Sequence, residues 1–187
     1  MADGVTRIGT SASDALSGTG LDDTIEGKGG NDTIYGENGD DYIRGGGGND
    51  VLYGDNGRYG DTGNDTIRGG SGNDTIDAGG GNNKIRAGSG DDTIVILEGT
   101  NNVKGGSGAD TFLFDLGPST TTIKDFELGV DKLGLGGLGI SSYDQLLGMI
   151  DGPVNEGNTD TKIVVGDVTI ILEDVVWSDL SPDDLLF

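Results

Sequence analysis

Gly45-Gly46-Gly47-Gly48-Asn49-Asp50-Val51-Leu52-Tyr53 is answered by Gly69-Gly70-Ser71-Gly72-Asn73-Asp74-Thr75-Ile76-Asp77, and both obey G-G-x-G-x-D-x-U-x, with U a large aliphatic residue. The nine-residue period extends in both directions through eleven repeats. An aspartate column falls at Asp14, Asp23, Asp32, Asp41, Asp50, Asp65, Asp74, Asn83, Asp92, Asn101 and Asp110. Two residues after each stands the apolar column: Leu16, Ile25, Ile34, Ile43, Leu52, Ile67, Ile76, Ile85, Ile94, Val103 and Phe112. Six extra residues around Gly54 to Thr62 interrupt the register once. The 39 glycines alone would suggest disorder, but disorder has no reason to place an apolar residue at every ninth position.

Each x-U-x triplet reads as a three-residue strand with only its middle side chain pointing inward, and each glycine-rich hexapeptide reads as a turn. Two repeats make one flattened coil. Stacked at about 4.8 Å, the coils predict an all-β fold, a right-handed parallel β-roll (β-solenoid) of five to six turns and roughly 26 Å. Its core would be one side chain thick, and each edge would stack carboxylates of like sign a few ångströms apart. Such a region folds only if cations enter the edges, so the metal-free chain is expected to be disordered.

The 187 residues carry a formal net charge of -22, which argues against nucleic acid or an anionic membrane as partner. Of the 33 acidic residues six are Glu and 27 Asp, a bias toward the carboxylate that suits tight turns and hard-cation ligation. The absence of cysteine excludes disulfides and thiolate sites, and the absence of histidine removes the usual zinc ligand and catalytic base. No nucleophile stands with a base in the sequence, so the chain reads as no enzyme. Met1 to Arg7 lacks an apolar core and no run reaches membrane-spanning length, so neither a cleavable leader nor membrane insertion is expected.

Past Leu113 the glycine spacing loosens, which divides the chain into a roll over 1–113 and a mixed C-terminal capping region over 114–187. Ser142-Tyr143-Asp144-Gln145 is a capping-box pattern that predicts a short helix through about Ile150. Lys162 to Val165 and Val168 to Leu172, joined by Gly166-Asp167, read as a hairpin, and Ser181-Pro182-Asp183-Asp184 as a last helix start. This region is expected to cover the open end of the roll.

The repeats from Gly18 to Leu113 closely, and Gly9 to Ser17 loosely, resemble the hemolysin-type or RTX family of secreted calcium-binding proteins. The resemblance implies Ca2+ ions between each loop and the loop two repeats later on the same edge, held by both aspartates and by backbone carbonyls of the glycine-rich positions. Carried onto this chain, those positions are Gly27, Gly30, Gly36, Gly39, Gly45, Gly46, Gly48, Gly69, Gly70, Gly72, Gly88, Gly90, Gly105, Gly106 and Gly108. One edge then carries Asp14, Asp32, Asp50, Asp74, Asp92 and Asp110, enough for five ions. The other carries Asp23, Asp41 and Asp65 before Asn83 and Asn101, and two ions are expected there. About seven ions would bring the formal charge from -22 to -8. Ala109 to Phe114 followed by Ile123 to Leu133 resembles the segment that closes such rolls, where Asp125 and Asp131 are candidates for a further ion. Asp183-Asp184-Leu185-Leu186-Phe187 resembles the uncleaved signal read by type I secretion machinery. The resemblance therefore implies a bacterial extracellular protein that folds on calcium after export, as the folding and secretion module of an exoprotein.

Positions seven and nine of each repeat point outward. On one sheet they collect Tyr42, Arg44, Arg68, Lys84, Arg86 and Lys104, five of eleven cationic residues, while the other sheet shows no cation at the equivalent places. This stripe either offsets the acidic edges or forms a calcium-dependent groove for an anionic polysaccharide, with Tyr42 as a stacking platform. The repeat modules of alginate epimerases, members of the same family, support that ligand class. An ice-binding row of outward Thr or Asn is the weakest alternative, since only Thr62-Gly63-Asn64-Asp65 fits.

Overall fold

The computed structural model describes residues 4–55, 63–115, 117–153 and 159–187. Its strands, numbered in chain order, alternate between two sheets. The first sheet has ten strands in the order β1 (Thr6–Ile8), β3 (Thr24–Gly29), β5 (Tyr42–Gly47), β7 (Thr66–Ser71), β9 (Lys84–Ser89), β11 (Gly99–Ser107), β13 (Ser119–Ile123), β17 (Val168–Leu172), β16 (Thr161–Val165) and β15 (Ile150–Pro153). The second has eight: β18 (Leu185–Leu186), β14 (Lys132–Gly134), β12 (Thr111–Phe114), β10 (Thr93–Ile96), β8 (Thr75–Asp77), β6 (Val51–Tyr53), β4 (Thr33–Glu37) and β2 (Ala15–Thr19). All pairings are parallel except β15 with β16 and β16 with β17, so the fold is a parallel β-roll.

The inward column decides this arrangement. Ile25, Ile43, Ile67, Ile85, Val103, Ile123 and Leu172 are Cα partners in succession, as are Leu16, Ile34, Leu52, Ile76, Ile94, Phe112, Leu133 and Leu185. All but Leu16, which is partly buried, lie in one core between the sheets. A one-residue slip would turn this file outward, so the period-two strand pattern fixes the register. The register also survives the insertion: Ile43 pairs with Ile67, and Leu52 with Ile76. Residues 56–62 of the insertion, including Thr62 of the ice-binding alternative, lie outside the described residues.

The roll is longer than the expected five to six turns. β1 precedes the first full repeat, and β13, β14, β17 and β18 continue both sheets past Leu113, giving eight parallel strands per sheet and roughly 34 Å at the usual strand spacing. The sequence signal failed there because these coils keep the inward apolar residue but drop the glycine loop. The capping hairpin stands as expected, with Val165 opposite Val168, and it ends the first sheet with antiparallel strands. The expected helix is shorter: α1 (Tyr143–Leu147) has Ser142 as its cap, but the chain turns at Gly148 and Ile150–Pro153 joins the hairpin as β15. Ser181 caps a single 3-10 turn whose Asp184 side chain returns to the Ser181 backbone. Among the described residues no helix is long and apolar enough to cross a membrane.

Candidate metal sites

Two side-chain ladders run in opposite directions along each edge of the roll. In the inner ladder the backbone N–H of each column residue donates to the carboxylate Oδ1 of the next coil: Asp14 to Asp32, Asp32 to Asp50, Asp50 to Asp74, Asp74 to Asp92, Asp92 to Asp110 and Asp110 to Asp131, at 2.7–3.0 Å. On the other edge Asp23 donates to Asp41, Asp41 to Asp65, Asp65 to Asn83 and Asn83 to Asn101, at 2.7–3.1 Å. The two expected files are therefore brought together as separate edges, across the insertion as well. The outer ladder uses the residue before the column, and its oxygens accept from the following coil. Asn49 N–H donates to Asn31, Asn73 to Asn49 and Asp91 to Asn73; on the other edge Asn64 donates to Asp40 and Asn82 to Asn64. Sequence reasoning missed this ladder, though the recurrence of Asn or Asp immediately before the column was its signal.

With Oδ1 engaged, the second carboxylate oxygen decides the chemistry. Oδ2 of Asp32, Asp50, Asp74, Asp92 and Asp110 on one edge, and of Asp41 and Asp65 on the other, is buried with no hydrogen-bond partner. A buried carboxylate oxygen left unpaired costs more than a hydrogen bond returns, unless a cation meets it. Every one of these cradles except that of Asp92, where Ala87 stands, has glycine as its first loop residue. A methyl on Gly27 would collide with Asp32 Oδ2 and stand 2.7 Å from the Gly45 carbonyl, and one on Gly45 would collide with Asp50 Oδ2 and stand 2.8 Å from the Gly69 carbonyl. Gly36, Gly69 and Gly105 hold the same place against Asp41, Asp74 and Asp110. The cradles thus offer carboxylate and carbonyl oxygens, the donor set of a hard cation such as Ca2+, with space that a side chain would fill. No group of three or more acidic side chains converges among the described residues, so backbone carbonyls must complete any such shell.

Four column residues depart from this. Asp14 Oδ2 accepts from Thr10 N–H and hydroxyl at 2.6 and 2.9 Å, and Asp23 Oδ2 accepts from both groups of Thr19. A threonine where later repeats carry Gly46 or Gly70 thus satisfies the first carboxylate of each edge internally. Asn83 Nδ2 donates to the Gly80 carbonyl at 2.9 Å, and Asn101 Nδ2 to the Glu98 carbonyl at 3.0 Å. An amide can make this bond and a carboxylate cannot. The cradle residue changes in step, from Gly36 and Gly54 to Ala78 and Ile96, both buried. The second edge therefore passes from open polar cradles to closed apolar ones after Asp65.

Burial raises the pKa of Asp41 and Asp110 to about 7, Asp65 to about 8, and Asp74 and Asp92 to about 6. The backbone N–H donated to each opposes the shift, and neighbouring carboxylates add to it. Asp50 is raised for the same reasons. One contributor was missed in the sequence. Asp55, at the start of the insertion, is buried, accepts from Gly80 N–H at 3.0 Å and raises both Asp41 and Asp65. At the far end Asp131 accepts from Asp110 and Glu127 N–H, while Asp125 accepts from Gly105 N–H at 3.0 Å; burial raises both carboxyls.

The cationic stripe lies on the first sheet, with Arg44, Arg68, Arg86 and Lys104 as successive Cα partners and Lys84 beside them. Arg44 is paired to Glu26 at 3.3 Å, and the Arg68 guanidinium lies 5.6 Å from the Tyr42 ring centroid. That ring face, the expected stacking platform, is therefore covered by Arg68.

A family model describing the RTX calcium-binding nonapeptide repeat (4 copies) matches residues 8–43, 17–52, 59–94 and 97–118. Among solved structures the chain is similar to the extracellular lipase LipA from Serratia marcescens, with 17% identity over 100% of this chain and 40% of the lipase chain, at a TM-score of 0.40. It therefore spans well under half the length of that lipase. It is also similar to the AlgE6R3 subunit of the Azotobacter vinelandii mannuronan C5-epimerase, with 21% identity over 95% of this chain and 80% of that one, at a TM-score of 0.37. No curated protein matches the chain.

Proposed function

We propose, since the chain belongs to the family of RTX calcium-binding nonapeptide repeat proteins, that it is a non-catalytic module which leaves a bacterial cell unfolded by type I export and folds on meeting extracellular calcium. The observation that carries this reading is the set of seven buried, unpartnered Oδ2 atoms at Asp32, Asp50, Asp74, Asp92, Asp110, Asp41 and Asp65. We assign one ion to each, five on the first edge and two on the second, with Asp125 and Asp131 supporting the one at Asp110. Calcium supplies there the positive charge that the buried carboxylates lack, and the glycine carbonyls and the second carboxylate of each file complete the donor set. Asp14, Asp23, Asn83 and Asn101 hold their loops by hydrogen bonds instead. Weak sites, with dissociation constants of about 10⁻⁴ to 10⁻³ M, would leave the chain unfolded in a calcium-poor cytosol and loaded outside. Native mass spectrometry in millimolar calcium tests the assignment. About seven bound ions are expected, whereas a chain that stays folded with none would contradict it.

A second reading, in which the loaded roll binds an anionic polysaccharide, is favoured by the in-register file Arg44, Arg68, Arg86 and Lys104. Calorimetry against oligo-uronates checks it: heat that requires calcium, weakens with salt and falls in the Arg44→Ser, Arg68→Ser, Arg86→Ser triple variant.

A further inference from the structure

The stripe is not uniform along the roll. Its N-terminal half is engaged by Glu26 and Tyr42, but its C-terminal half opens into a depression of about 370 Å³ lined by Lys84, Ile85, Arg86, Asn102, Lys104 and Lys124. That volume lies in the range of small-ligand sites, about 300–1,000 Å³. Three successive strands build it. Lys84 pairs with Asn102 and Arg86 with Lys104 between β9 and β11, and Lys124 follows β13, its N–H donating to the Val103 carbonyl at 3.1 Å. Lys124, read in the sequence only as part of the closing segment, was left out of the cationic stripe because it belongs to a coil without the glycine signature.

Charge selects the occupant. Lys124 is paired with Glu173 at 3.2 Å, and Lys104 acts electrostatically on Asp125. No carboxylate among the described residues pairs with Lys84 or Arg86. Four cations facing two carboxylates leave a surplus of two positive charges on a molecule whose formal net charge is -22. Lysine heads supply point charges and Arg86 a planar fork of donors, while Asn102 adds a neutral amide. Donors arranged around a depression enclose a compact dianion better than they track a linear chain of single carboxylates.

We propose that this depression binds a tetrahedral oxyanion ester, the phosphate or sulfate group of a modified sugar, with Lys84, Arg86 and Lys104 as its charged donors. The proposal rests on the calcium-folded roll, since the three strands meet only when the coils stack, and it deepens the second reading by placing a focal site where that reading has an extended stripe.

The test is calorimetry on the full chain in calcium, with glucose 6-phosphate, inorganic sulfate and a linear tri-uronate as separate titrants. One equivalent of glucose 6-phosphate is expected to bind, to be displaced by sulfate, and to weaken with sodium chloride. The Lys84→Ser, Arg86→Ser double variant should weaken it about tenfold or more, and Arg44→Ser should leave it unchanged. Lys104→Gln, on the neighbouring strand, gives the same reading if the double variant does not fold. Absence of saturable binding at millimolar titrant would overturn the site, as would equal loss in Arg44→Ser, or a preference for tri-uronate, which returns the face to the extended stripe. Circular dichroism in calcium distinguishes these outcomes from failure of the calcium reading, in which the roll itself would not form.

Discussion

At the residue scale the loops are shaped by what their glycines exclude. Gly70 has a φ of +129°, and a methyl there would run into the Gly46 carbonyl of the preceding coil. Gly129 also has positive φ, +76°, but nothing lies within 4 Å of where its methyl would stand. Gly129→Ala should therefore cost about 1–2 kcal/mol, the usual penalty of a left-handed L residue. Gly70→Ala should cost several kcal/mol, because strain and backbone collision add. Thermal melts in saturating calcium check the pair, and equal losses would mean that coil-to-coil contact does not govern these positions. The columns behave as oppositely as their chemistry. Asp74→Ala removes a buried carboxylate with a free Oδ2 and should move the calcium midpoint for folding upward. Asn83→Ala removes amide bonds to Gly80 and Asp65 and should cost about 1–3 kcal/mol at any calcium level, leaving the calcium dependence intact. Calcium titrations followed by circular dichroism distinguish a moved midpoint from a uniformly lower melt.

At the scale of elements, the two edges of one roll solve the same burial problem differently. The first repeats its open cradle from Gly27 to Gly105, interrupted only by Ala87, whereas the second replaces Gly54 with Ala78, Ile96 and then Phe114 as its column changes from Asp65 to Asn83, Asn101 and Thr121. Apolar filling takes over as carboxylates withdraw, so the roll should be least metal-dependent where the second edge meets the capping hairpin. Amide exchange at low calcium should show the longest protection at Ile123, Ile163 and Ile170 and the shortest around Ile34 and Ile43; uniform protection would contradict this gradient. The two files and their register were legible in the sequence because a nine-residue period leaves side chains no freedom of face. The outer ladder was not, because position five varies among Asn, Asp, Ser, Thr100 and Ala109, and only the stacked coils reveal its accepting role. Thr10 and Thr19 were hidden likewise, since a threonine beside glycine columns reads as a lapse until its hydroxyl is seen on Asp14 or Asp23. The place of Lys124 in the stripe, β14 and β18 escaped because the inward apolar residue persists there without its glycine loop.

At the scale of the molecule, the last residues belong to the fold: Leu185 pairs with Leu133, and Asp184, fully buried, accepts from Gly129 and Ser181 N–H. The whole structure is bound to proton and cation supply. In the metal-free roll the folded pKa values of Asp41, Asp65, Asp74, Asp92 and Asp110, about 6 to 8, lie above the unfolded carboxylate value of about 3.9. Their contribution to stability is therefore fully present in acid and lost as pH rises through that window. Proton and calcium are alternative partners for the same buried carboxylates of the folded roll, and the unfolded chain binds few protons above about pH 5, so the calcium midpoint for folding should rise as pH rises from about 5.5 to about 8, a sign that circular dichroism titrations at the two values check. The most direct measurement is far-ultraviolet circular dichroism of the full chain at neutral pH, first in excess chelator and then through a calcium titration. A β-poor spectrum in chelator that becomes β-rich cooperatively in millimolar calcium is the result predicted by a thin core bordered by seven unpartnered carboxylate oxygens. A β-rich spectrum that survives exhaustive chelation unchanged would contradict it.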